Sequence, residues 1–128
     1  VECAPAMMVP WRAMVLAPLL ALYLVYAWRD NAWHGPRREV PPGEHVTHAG
    51  IFLGAIGLAV SGFRGHADGV LGAAVVVALF GAADEYGYHR GIPGEESDLH
   101  AKGHLALFLF TVAALAVDRV PAWLRASM

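Results

Sequence analysis

Three pairs of side chains in this sequence have the types and spacing of metal ligands. His45 and His48 stand at i and i+3, Glu85 and His89 at i and i+4, and His100 and His104 at i and i+4. Residues three or four apart share one face of a helix, so each pair aims two donor groups in one direction. Imidazole and carboxylate are the usual ligands of zinc, iron and copper. Five histidines and one glutamate suit one fully ligated transition-metal ion, or two ions that keep open positions. Asp84 adjoins Glu85 but points about 100° away on an ideal helix. From there it is expected to orient a ligand histidine or to serve as an acid or base. Tyr88 follows Asp84 by four residues, and a hydrogen bond between them would let both handle protons.

The elements that must position these pairs are apolar. The chain has 128 residues, fitting one domain, 1–128, and is 57% hydrophobic and 16% charged. Soluble domains carry about 25% charged residues, so the composition points to a membrane protein. The formal charge of −2 offers no basic patch, and nucleic acid is excluded as an expected partner. The single cysteine, Cys3, rules out an internal disulfide and a thiolate metal site.

Crossing a bilayer takes about 20 mostly apolar residues. The pattern predicts four such helices, at about 10–28, 46–63, 69–88 and 99–117. Arg12 ahead of the first run resembles the start of a signal peptide. No small-residue cleavage pattern follows it, so the run is expected to remain as a helix. Helices are the expected spanning element, because so few segments cannot close a barrel. The predicted fold is therefore all-α, a four-transmembrane-helix bundle. Pro18 is expected to kink the first helix. Gly50 and Gly54 form a small-xxx-small pair that lets helices approach closely.

Threading four helices back and forth places the end of the first, the start of the second, the end of the third and the start of the fourth on one side. His34, His45, His48, His89, His100 and His104 gather there, and only His66 lies opposite. The stretch from Asp84 to His104 alone holds five acids and three histidines. Lysines and arginines divide five to four between the two sides, a lean toward a cytoplasmic site face. A multi-pass protein of a bacterial inner membrane is the expected location.

Several residues have blander readings. His34 is expected to be solvated in a loop and His66 to be structural. Glu95 and Glu96 read as loop or cap charges, with Ser97 or Asp98 as the N-cap of the fourth helix. Lys102 is expected to snorkel from another face.

Short motifs carry three resemblances. "HVTH" and "HAKGH" resemble the histidine boxes of membrane di-iron hydroxylases and desaturases, although the chain has no H-x-x-H-H box. Thr47–His48, then Asp84, Glu85 and His89, then the final histidine pair are similar in order to a small family of membrane-bound metal-dependent hydrolases. "EYGYH" is similar to the acid-x-x-x-His of copper-binding subunits of membrane methane and ammonia monooxygenases. These likenesses imply iron, copper or zinc, in a mononuclear or dinuclear site.

The leading expectation is a membrane metal-binding oxidoreductase, hydroxylase- or monooxygenase-like, acting on a lipophilic small molecule within the lipid bilayer. The rivals are a zinc-dependent hydrolase and a haem- or pigment-ligating or accessory subunit of an electron-transfer complex, with His48 and His104 as haem ligands. The small size is compatible with a homo-oligomer or a larger membrane complex.

Overall fold

The computed structural model describes residues 8–37 and 39–119. Four helices account for nearly all of them: α1 (Met8–Arg37), α2 (Pro42–Arg64), α3 (Ala67–Gly87) and α4 (Gly94–Ala116), the last followed by a 3-10 turn at Val117–Arg119. All four are long and apolar enough to cross a membrane, over Trp11–Trp33, Pro42–Arg64, Ala67–Gly87 and Gly94–Arg119. The chain is an all-α, four-helix membrane bundle, a multi-pass integral membrane protein. Cys3 lies outside the described residues.

Each helix extends beyond its apolar run. α1 is continuous through Pro18 and runs on to Arg37, so the backbone at position 34 is helical rather than a loop. α2 starts at Pro42, several residues before the predicted start. Pro41 holds φ −61° and ψ 148°, and its carbonyl accepts the first helical bond, from the Glu44 N–H at 3.0 Å. Pro42 suits the first helical position, because its missing N–H would have no helical partner there. α4 likewise begins at Gly94 behind Pro93, so Ser97 and Asp98 lie inside the helix rather than capping it.

α2 ends at Gly65, whose φ of 76° is the left-handed conformation that glycine adopts without strain. The His66 N–H donates to the Ser61 carbonyl and the Gly65 N–H to the Gly62 carbonyl, a Schellman stop that turns the chain directly into α3.

α2 packs chiefly on α3, and α1 on α4. A side-chain carbon at Gly54 would lie 2.6 Å from Val77 Cγ2, and one at Gly50 would overlap the Phe80 ring. The small-xxx-small pair therefore sets the α2–α3 approach. Leu16, Leu58, Val70, Leu107 and Phe110 lie in the core that joins the two helix pairs. At the end of the bundle opposite the histidine cluster, Arg12 is buried. It donates to the Gly62 carbonyl at 2.5 Å and pairs with Asp118, linking α1, α2 and the end of α4. Large apolar side chains such as Leu53, Leu79 and Phe108 point outward, as lipid-facing positions require.

Candidate metal centre

All four helices contribute to one polar cluster. α1 brings Asp30; α2 brings Glu44, Thr47 and His48; α3 brings Asp84 and Glu85, with His89 just past its end; α4 brings His100 and His104. Asp84 lies at its middle and is fully buried. The Thr47 hydroxyl donates to Asp84 Oδ1 at 2.5 Å and also lies 2.8 Å from the Glu44 carbonyl oxygen. The other carboxylate oxygen, Oδ2, faces three imidazoles: His48 Nε2 at 3.2 Å, His89 Nδ1 at 3.4 Å and His100 Nε2 at 3.5 Å.

His89 is buried and faces three carboxylates. Its Nε2 lies 3.4 Å from Glu44 Oε1, while Nδ1 faces Asp84 and stands 3.8 Å from Glu85 Oε2. Neither ring nitrogen makes a hydrogen bond among the described residues. Buried polar atoms are rarely left so, and each such atom needs an explanation. The separations themselves supply one. Most exceed the roughly 2.7–3.2 Å of a good N–H···O bond. Two donors that share an ion about 2.0–2.1 Å from each, at a tetrahedral angle, stand about 3.3–3.4 Å apart. Glu44, His48, Asp84 and His89 thus form one group whose donor atoms lie within 4.8 Å of one another, and Glu85, His89 and His100 form a second. Both fit a metal ion by donor chemistry and by spacing.

His100 has the further feature of a metal-ligating histidine. Its Nδ1 is 3.3 Å from Asp30 Oδ2, so a carboxylate fixes the ring and leaves Nε2 aimed at the cluster. His104 Nε2 lies 2.9 Å from His100 Nε2. Gly81 makes room for that ring: a side-chain carbon there would stand 3.0 Å from His104 Cε1.

The structure brings together His48, Glu85, His89, His100 and His104 of the sequence-derived set, and leaves His45 exposed on the outer face of α2. Because α2 starts at Pro42, its inward i,i+4 pair is Glu44 and His48 rather than His45 and His48. Asp84 and Glu85 also differ from expectation: Asp84 is central, whereas the Glu85 side chain is 60% exposed at the rim. Tyr88 does not hydrogen-bond to Asp84 through its side chain. Its backbone N–H donates to the Asp84 carbonyl, and its hydroxyl sits against Gly43, where any side-chain carbon would overlap it. Glu96 is buried within the first turns of α4, not solvated as a loop charge. Lys102 is exposed and pairs with Asp98 at 2.5 Å, away from the cluster.

Sequence reasoning missed Glu44 and Asp30 as members of the site. The double proline at 41–42 is a helix-start signal that would have placed Glu44 one turn before His48. Asp30 carried no such signal, because its relation to His100 is purely tertiary.

Two grooves flank the histidines. One, about 480 Å³, runs between α1, α2 and α4 and is lined by Tyr23, Leu24, Ile51, Phe52, Leu99 and Leu107, with His48, His100 and His104 on its wall. The other, also about 480 Å³, lies between α3 and α4 and reaches Glu85, His100 and His104. Comparison with family models, with curated proteins and with solved structures found no match to this chain.

Proposed function

We propose that this chain is a membrane metalloenzyme that oxidises a lipophilic substrate, a hydroxylase- or monooxygenase-like oxidoreductase whose ion is held by Glu44, His48, Asp84 and His89. The observation that carries the metal reading is the buried His89 ring, neither nitrogen of which makes a hydrogen bond, beside Asp84 Oδ2, on which three imidazoles converge. The mixed imidazole and carboxylate set suits iron, copper or zinc.

The groove between α1, α2 and α4 supports the substrate class. Its volume falls within the range of small-molecule pockets, and apolar side chains dominate its lining. An alkyl chain there would bring a C–H bond toward the wall carrying His48, His100 and His104. A redox-active ion would supply dioxygen activation: R–H, dioxygen, two electrons and two protons give R–OH and water, the electrons coming from a separate electron carrier. The chain's own residues do the rest. Thr47 and Asp30 fix the donor atoms of Asp84 and His100. His104, at the rim of both grooves, would pass protons.

One observation favours a second reading. Glu85 is exposed and 3.8–4.0 Å from the His89 and His100 nitrogens, a suitable place for a base that takes a proton from water. With zinc bound, that arrangement would serve a hydrolase.

The test is to incubate the metal-loaded protein with bilayer lipids and a reductant, with and without dioxygen, and to read product mass. Oxygen-dependent gain of one oxygen atom, lost in Asp84→Asn, is expected. Hydrolysed lipid formed equally without oxygen would replace the oxidoreductase reading with the hydrolase.

A further inference from the structure

We infer that the centre is dinuclear, with a second divalent transition-metal ion held by Glu85, His89 and His100 beside the ion at Glu44, His48, Asp84 and His89; this deepens the metal reading above and rests on it. The two groups are distinct sets of donors that meet at His89. One ring edge faces Glu44 through Nε2 at 3.4 Å, and the other faces Glu85 through Nδ1 at 3.8 Å. A neutral imidazole donates from one nitrogen and accepts at the other. Both carboxylate neighbours are acceptors, so no tautomer of neutral His89 satisfies both edges. An ion on each edge does when the ring is the imidazolate, its N–H proton released to solvent as the second ion binds.

Asp84 Oδ2 spans the same boundary. It lies 3.2 Å from His48 Nε2 in the first group and 3.5 Å from His100 Nε2 in the second. With Oδ1 held by Thr47, Oδ2 is the oxygen left to face the histidines of both groups. His100 is prepared independently of the first group. Asp30 engages its Nδ1, which leaves Nε2 to face Asp84, Glu85 and His104. Carboxylate-oriented histidines are the usual form of a metal ligand. The three ligands Glu85, His89 and His100 leave open positions that the α3–α4 groove can reach.

Titration of the chelator-stripped, detergent-solubilised protein with Co2+ tests the inference, read by the visible ligand-field bands and by equilibrium dialysis. Two equivalents bound per chain are expected. Glu85→Gln, at a rim position that tolerates substitution, is expected to lower this to one, and Glu44→Gln to remove the other equivalent. Saturation of the wild-type chain at one equivalent overturns the dinuclear inference and leaves the metal reading standing. Two equivalents retained in Glu85→Gln also overturn the assignment of the second ion. No binding at all overturns both readings.

Discussion

The Thr47 hydroxyl, on α2, donates to Oδ1 of Asp84, on α3, and thereby fixes which carboxylate oxygen faces the histidines. The bond ties the two helices at the depth of the cluster and commits Oδ2 to His48, His89 and His100. Thr47→Val keeps the shape and removes the donor. Removing such a supporting partner weakens metal binding by about 10–100-fold. That loss is expected in competition against a chromophoric chelator, with the helical signal unchanged.

Asp30 acts on the opposite side of the cluster through His100. Asp30→Asn keeps the size and removes the charge that steadies the ring. Metal affinity is expected to fall by about 10-fold or more. The corresponding change at His45, His45→Ala, touches an exposed ring outside the cluster and is expected to leave affinity unchanged. Parallel chelator titrations of the two variants check this contrast.

Gly81 is where α3 admits the His104 ring. Gly81→Ala places a carbon 3.0 Å from His104 Cε1, and the ring must shift. The expected result is a changed ligand-field spectrum of the Co2+-loaded protein with little change in thermal stability. At Gly54 the same kind of crowding falls on the Val77 side chain and backbone, so Gly54→Val is expected to lower the melting temperature in detergent. Overpacking of this kind costs about 1–3 kcal/mol.

Protons compete with metal for imidazole and carboxylate donors, so affinity falls as pH falls. The expected outcome is progressive metal release on acidification and recovery on return to neutral pH, followed by dialysis and metal quantification. Release that tracks loss of helical signal instead would mean that acid unfolds the bundle first.

The four helices were legible because their apolar runs are long and their interruptions polar. The gathering of histidines at one end followed from counting helix reversals, and His48, His89, His100 and His104 do meet there. What could not be read was helical phase near the ends. Shifting the start of α2 to Pro42 turns Glu44 inward and His45 outward. One residue of rotation on α3 decides that Asp84 is central and Glu85 peripheral. The Asp30–His100 contact joins residues 70 positions apart, and no local pattern encodes it.

The most direct test of a metal centre is elemental analysis of the detergent-purified protein, prepared without chelators, beside Asp84→Asn. At least one equivalent of iron, copper or zinc per wild-type chain is expected, with most of it lost in the variant although both remain folded. A wild-type protein that is folded and metal-free, and stays so after incubation with each of these ions, would contradict the account.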